Sequence, residues 1–154
     1  MSEEQFENIR QLFADLAREL KPALDATGAD WRVEPAAKSF RVYLAHWFDG
    51  QVHFESWVTN ADIERQSLPV AFHFEAPKEK TGIKRTAFSE RLLETAAPMM
   101  DGWEGYRLSP KSDQPFIRKV AFSDHLLADM KAEYCRLAKL APLIDQAMME
   151  AKTK

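Results

Sequence analysis

The sequence contains one cysteine, Cys135, so no disulfide can form within the chain. It also has only five glycines, and it contains neither a Walker loop nor a Gly-x-Gly-x-x-Gly fingerprint. The Gly-x-Ser-x-Gly nucleophile elbow, the His-Glu-x-x-His zinc motif and any Cys-x-x-Cys pair are absent too. Because all these signatures are missing together, we lean towards a non-enzymatic protein.

Long hydrophobic runs are also missing. No apolar stretch approaches the roughly 18 residues needed to span a bilayer. The first residues, 1–5, are acidic and polar, unlike the basic and then apolar start of a signal peptide. We therefore expect a cytoplasmic protein with no membrane contact. A net charge of −3 argues against general nucleic-acid binding.

The composition is that of one globular domain. A length of 154 residues matches a single domain, and 45% apolar with 29% charged residues is an ordinary balance. We expect residues 1–154 to form one domain.

Two hydrophobic periods alternate along the chain. Apolar residues at three- and four-residue spacing predict helices over 3–21, 84–97 and 124–150. Pro22 should end or kink the first helix, and residues 23–26 can add a turn before Thr27 and Gly28 stop it. Pro142 should kink or break the last helix near residues 140–141. Strand-like segments occupy 40–48, 51–59, 68–75, 103–108 and 116–122. The predicted fold is α+β: a five-stranded, mostly antiparallel sheet with helices on one face, in the order α-βββ-α-ββ-α.

Asp49 and Gly50 lie between the first two strands and favour a two-residue type I′ turn. That turn sets the register, because a slip of one residue moves every side chain to the opposite face. It predicts that His46 faces His53 across the hairpin. It also predicts one mixed apolar and polar face, which carries the following residues: Phe40, Val42, Leu44, His46, Phe48, His53, Glu55 and Trp57.

The tripeptide His-Phe-Glu occurs twice, at 53–55 and at 73–75. If the third strand pairs with the second, its polar side chains join the mixed face. Imidazole and carboxylate groups are zinc ligands, so this face is a candidate zinc site. The candidate ligands are His46, His53, Glu55, His73 and Glu75. The alternative is an ordinary polar sheet face whose histidines pair across strands.

The mixed face is also a candidate protein-binding surface. Tryptophan on a partly exposed apolar face is a typical interface anchor, and an exposed apolar patch usually marks an interaction site. The predicted partner-binding residues are Phe40, Val42, Leu44 and Trp57. The leading functional prediction is a chaperone-, immunity- or inhibitor-like module that binds another protein or a second copy of itself. The alternatives are a metal protein or enzyme using the histidine and glutamate cluster, and a nucleic-acid accessory domain.

The nucleic-acid alternative depends on a basic stretch within residues 78–119. Clustered lysine and arginine can contact phosphates or an acidic partner. Its members are Lys78, Lys80, Lys84, Arg85, Arg91, Arg107, Lys111, Arg118 and Lys119. Interleaved glutamates dilute this charge, so a solvated surface is the competing interpretation.

The element order resembles that of the small acidic chaperones of bacterial type III secretion, which implies a homodimer that binds unfolded effector segments. Residues 70–148 also resemble an accessory domain of unknown function found beside restriction-type nucleases. That resemblance depends on the strand 70–75, Arg91-Leu92-Leu93-Glu94, Trp103-Glu104, Tyr134, Leu137 and Pro142. Neither resemblance implies a catalytic set.

Overall fold

The protein is described here by a computed structural model covering residues 3–152. Within that range the helices are α1 (Glu3–Asp25), α2 (Asn60–Arg65), α3 (Lys78–Thr81), α4 (Arg85–Met100), α5 (Leu126–Ala138) and α6 (Ala141–Glu150). The strands are β1 (Trp31–Pro35), β2 (Ser39–Leu44), β3 (Val52–Trp57), β4 (Ser67–Phe74), β5 (Arg107–Leu108) and β6 (Phe116–Ala121).

The strands form one antiparallel sheet in the order β1-β2-β3-β4-β6-β5. The predicted α+β class with an antiparallel sheet is therefore confirmed, but the sheet has six strands instead of five. The additional strand is β1, which pairs with β2 from Trp31 opposite Leu44 to Pro35 opposite Phe40. Its charged residues Arg32 and Glu34 are exposed while Trp31 is buried, which is the alternation of an edge strand.

One face of the sheet forms the hydrophobic core together with the longer helices. Buried residues of α1, α4, α5 and α6 belong to the same cluster as the inward residues of β2, β3, β4 and β6. At its centre the aromatic rings of Trp47, Phe54 and Phe72 contact one another, with centroids 5.5–6.2 Å apart. Burial of large aromatic side chains supplies much of the hydrophobic stabilisation of a domain of this size.

Proline has different effects in the first and last helices. Pro22 lies inside α1, which continues to Asp25, because Leu24 is buried in the core and the Ala26 amide still donates to the Pro22 carbonyl. The predicted bound at residue 21 is therefore too early, and the turn predicted beyond Pro22 continues the same helix to Asp25. The predicted break near residues 140–141 is confirmed: α5 ends at Ala138 and α6 begins at Ala141, with Pro142 in its first turn.

None of the described helices is both long enough and apolar enough to cross a membrane.

Candidate metal centre

The β2–β3 register differs from the predicted one by three residues. Val42 pairs with Phe54, whereas a two-residue turn at Asp49-Gly50 would pair Val42 with Trp57. An odd shift turns every β2 side chain to the other face of the sheet. The predicted exposure of three partner-binding residues is therefore wrong. They point into the core and are 0–5% exposed: Phe40, Val42 and Leu44.

The cause is a longer connection between the strands, which spans residues 45–51. Trp47 in this connection is fully buried, and its indole Nε1 donates to the Asp145 carboxylate of α6 at 2.7 Å. The backbone then reverses through three successive positive φ angles, 53° at Phe48, 57° at Asp49 and 84° at Gly50. Burial of the Trp47 ring outweighs the local preference of Asp-Gly for a two-residue turn.

His46 is consequently separated from the other histidines. It lies in the same connection, and its exposed imidazole Nε2 contacts Asp145 Oδ1 at 2.9 Å. The predicted pairing of His46 with His53 is wrong, and His46 does not share the sheet face of the other candidate ligands.

The remaining four candidate ligands lie together on the sheet face opposite the core. β3 and β4 pair with His53 directly opposite His73, which places both imidazoles and both neighbouring glutamates on one face. Each of the four contributes a nitrogen or oxygen atom to a group in which all ligand atoms lie within 4.8 Å of one another. We call His53, Glu55, His73 and Glu75 the metal cluster.

His53 is the most deeply buried member of the metal cluster, with a fully buried side chain. Its Nδ1 lies 2.6 Å from the Gly50 carbonyl oxygen, which can only accept, so Nδ1 carries the proton. Its Nε2 is buried and has no hydrogen-bond partner among the described residues. The nearest carboxylate oxygens belong to Glu55, at 3.4 Å, and to Glu75, at 3.6 Å.

His73 contacts carboxylates through both of its ring nitrogens. Nδ1 lies 2.7 Å from Glu55 Oε1 and 2.7 Å from Glu75 Oε1. Nε2 lies 3.0 Å from Asp113 Oδ2, in the loop that joins β5 to β6. The Asp113 carbonyl also accepts a hydrogen bond from the Phe74 amide at 2.8 Å, which fixes that loop against the end of β4.

Protonation of the metal cluster follows from these contacts. Burial acts to raise the pKa of Glu55, but the neighbouring imidazoles of His53 and His73 outweigh it and lower the pKa to about 2. Burial acts to lower the pKa of His73, but hydrogen bonds to Glu55 and Asp113 outweigh it and raise the pKa above 6.5. When His73 is protonated, it neutralises part of the surrounding carboxylate charge.

The donor set matches that of a divalent transition-metal site. Two imidazole nitrogens and two carboxylate oxygens make a four-ligand N₂O₂ set of the kind zinc binds tetrahedrally. A metal-bound histidine usually donates its second ring nitrogen to a carbonyl or carboxylate, which orients the ring. Here the Gly50 carbonyl is placed to do this for His53 and the Asp113 carboxylate for His73.

The sequence did not predict that the Gly50 carbonyl and the Asp113 carboxylate would contact the two histidines. Asp113 lies 40 residues from His73 in a polar loop, and no spacing or motif connects them. The Gly50 carbonyl reaches His53 only because of the positive φ angles at residues 48–50. Both contacts depend on tertiary structure, so they leave no local pattern in the sequence.

The basic stretch does not form one continuous surface of free charges. Its residues lie on α3, α4, β5, β6 and the connecting segments. Four of the nine contact carboxylates: Lys80 with Asp49, Arg91 with Glu150, Arg118 with Glu133 and Lys119 with Asp62. These ion pairs reduce the charge available to a phosphate backbone.

Comparison with known proteins found no relative: no family model, no curated protein and no solved structure matches the chain.

Proposed function

We propose that this protein binds one divalent transition-metal ion, with zinc as the best-fitting ion, through His53, Glu55, His73 and Glu75. The observation that carries the proposal is the buried Nε2 of His53, which has no hydrogen-bond partner within residues 3–152 and lies among the other three ligands. A buried polar atom without a partner costs about 1–3 kcal/mol, and a bound cation would remove that cost.

The charges around the metal cluster favour a divalent cation. Two ligand carboxylates would balance the two positive charges of the ion, and the two imidazoles would bind it in their neutral form. The Arg41 guanidinium lies 3.7 Å from the Glu75 oxygen Oε2, whereas His53 and His73 approach Oε1. Arg41 can therefore hold Glu75 in place from outside the cluster.

Solvent reaches the metal cluster from one side. The His53 side chain is fully buried and those of His73 and Glu55 are each 15% exposed, but that of Glu75 is 40% exposed. A metal ion would enter past Glu75. The other three ligands are held on paired strands, which gives the precise positioning that a metal site needs.

The test is calorimetric titration of chelator-treated protein with zinc at pH 7.5. The native chain should bind one zinc ion per molecule. His53→Gln and His73→Gln should each weaken binding by at least about 100-fold, because loss of an outer-shell partner alone typically costs 10- to 100-fold. His46→Gln is the matched control, since His46 lies outside the metal cluster, and it should leave the affinity unchanged.

Thermal melting of each variant without zinc separates loss of a ligand from loss of the fold. His73→Gln is the more informative variant, because His73 is partly exposed and its replacement disturbs buried packing less than replacement of the fully buried His53. The proposal fails if the native chain does not bind zinc, or if His46→Gln weakens binding as much as His73→Gln.

Protein binding through the outer sheet face is a second candidate function. Trp57 is the one predicted partner-binding residue that still lies on the face opposite the core, and it is only partly buried. Trp57→Ala should then weaken self-association in sedimentation experiments. An unchanged association constant would remove Trp57 as an interface residue.

A further inference from the structure

Glu75 is held less firmly than the other three ligands of the metal cluster. His53, Glu55 and His73 lie within the paired strands β3 and β4, and their side chains are at most 15% exposed. Glu75 follows the last residue of β4, and its side chain is 40% exposed. Its carboxylate is therefore the ligand of the cluster that can most easily leave for solvent.

The two carboxylate oxygens of Glu75 face different partners. Oε1 lies 2.7 Å from His73 Nδ1 and 3.6 Å from His53 Nε2, so it points to the centre of the metal cluster. Oε2 lies 3.7 Å from the guanidinium of Arg41. The Glu75 carboxylate thus spans the gap between the metal cluster and an arginine.

Arg41 is positioned independently of Glu75. It belongs to β2, where its backbone pairs with Glu34 of β1 and with Glu55 of β3. The Glu34 carboxylate accepts a hydrogen bond from the Tyr43 hydroxyl at 2.6 Å. The Arg41 side chain is 35% exposed, and a guanidinium matches the planar geometry of a carboxylate. If Glu75 moved away, Arg41 would remain beside the cluster and accessible to a ligand from solvent.

We infer that Glu75 is an exchangeable ligand, and that a small-molecule carboxylate takes its place, with one oxygen on the metal ion and the other on Arg41. The exchange rests on the proposed metal-binding function. Its chemical class follows from Glu75 itself, whose carboxylate group already faces both partners at once. One carboxylate replaces another, so the charge of the ligand set is unchanged and neither a proton nor an electron is transferred. The displaced Glu75 carboxylate is hydrated at the surface.

Chemical rescue of a Glu75 variant tests this exchange. Glu75→Ala should weaken zinc binding by at least about tenfold in calorimetry, because even loss of an outer-shell partner has an effect of that size. Acetate in the buffer should restore most of the lost affinity. Acetamide, which has a similar shape but no charge, should restore none of it. Sodium perchlorate keeps the ionic strength equal in all samples.

Glu55→Ala is the matched control for the rescue. Glu55 is a ligand of the same chemical type, but its side chain is only 15% exposed. Its zinc affinity should also fall, and acetate should not restore it. Arg41→Gln combined with Glu75→Ala should abolish the rescue, since the second oxygen of acetate then has no partner. Melting temperatures without zinc show whether each variant retains the fold.

Exchange on the native chain can be detected by NMR. Cobalt(II) in place of zinc is paramagnetic and broadens the signals of molecules that exchange at the metal. The carboxyl ¹³C signal of acetate should broaden more with the cobalt-loaded chain than with the zinc-loaded chain. Arg41→Gln leaves all four ligands in place, and it should reduce this broadening.

Failure of the exchange is distinguishable from failure of the metal site. A native chain that does not bind zinc overturns both. If the native chain binds zinc, the exchange alone is wrong when acetate restores no affinity to Glu75→Ala, when acetamide restores as much as acetate, or when the rescue persists without Arg41. Unchanged zinc affinity of Glu75→Ala would also contradict the exchange, because Glu75 would then not be a ligand.

Discussion

The two imidazoles of the metal cluster present different nitrogens to it. His53 has its Nδ1 occupied by the Gly50 carbonyl, which leaves Nε2 for a metal ion. His73 has its Nε2 occupied by Asp113, which leaves Nδ1 facing the two glutamates. The outer hydrogen bonds therefore determine which tautomer each ring adopts and which atom can bind a cation.

Gly50 allows the first of these hydrogen bonds. Its φ angle is 84°, and a Cβ atom there would lie 3.0–3.3 Å from the ring of Tyr43. Gly50→Ala should lower the free energy of unfolding by about 2–3 kcal/mol, since it adds a steric contact to the backbone strain. It should also weaken zinc binding, because the Gly50 carbonyl orients His53. Denaturant unfolding and calorimetry measure the two effects.

Gly28 is the matched control for this substitution. Its φ angle is 85°, but a Cβ atom would meet nothing within 4 Å. Gly28→Ala should lower the free energy of unfolding by only about 1 kcal/mol, from backbone strain alone, and leave zinc affinity unchanged. Equal costs at the two positions would show that the approach of Tyr43 to Gly50 has no energetic effect.

Glu55 should make the stability of the metal-free protein depend on pH. Its pKa is lowered from 4.5 to about 2, so the carboxylate stabilises the fold above pH 4.5, and this contribution is lost as the pH falls towards 2. We expect Glu55→Gln to cost up to about 3 kcal/mol at pH 6 in a chelator. That cost should shrink steadily below pH 4.5. A cost that is constant from pH 6 to pH 3 would contradict the lowered pKa.

At the scale of elements, the sequence pattern predicts which way a side chain points within a strand better than it predicts how strands pair. Alternation along β3 and β4 correctly placed His53 and His73 on the face opposite Phe54 and Phe72. Alternation fixes relative orientation within a strand, and the apolar side must face the core. It does not fix the pairing between strands, which here depends on the buried position of Trp47 in the connection.

The corrected β2 orientation predicts a large effect at Leu44. Leu44 is 5% exposed and packs in the core, so Leu44→Ala should cost about 2–4 kcal/mol of unfolding free energy. Leu108→Ala on the edge strand β5 is the control. Leu108 is 39% exposed, and its replacement should cost less than about 1 kcal/mol. If both variants unfold at the same denaturant concentration, Leu44 does not lie in the core.

At the scale of the whole molecule, the metal cluster joins segments that are distant in the sequence. His53 and Glu55 come from β3, and His73 and Glu75 from β4 and the residue that follows it. Asp113 of the β5–β6 loop contacts His73. Ser89 of α4 holds that loop by donating a hydrogen bond to the Ser112 carbonyl at 2.8 Å. The sheet part of the site was predictable from the repeated His-Phe-Glu, but the loop part required the folded chain.

Metal binding should therefore stabilise the entire fold. At free zinc 100-fold above the dissociation constant, the gain is about 2.7 kcal/mol, which corresponds to a rise of about 5–10 °C in melting temperature for a chain of this length. Addition of a chelator should reverse the rise. His73→Gln should show no rise, whereas His46→Gln should respond like the native chain.

The most direct test of the metal site is to identify which ring nitrogen of each histidine binds zinc. Long-range ¹H–¹⁵N NMR spectra of the imidazoles distinguish Nδ1 from Nε2 and can be recorded with and without zinc. Zinc should shift the Nε2 signal of His53 and the Nδ1 signal of His73, and it should leave both signals of His46 unchanged. Unaltered spectra for His53 and His73 at saturating zinc, or a shift confined to His46, would contradict the account.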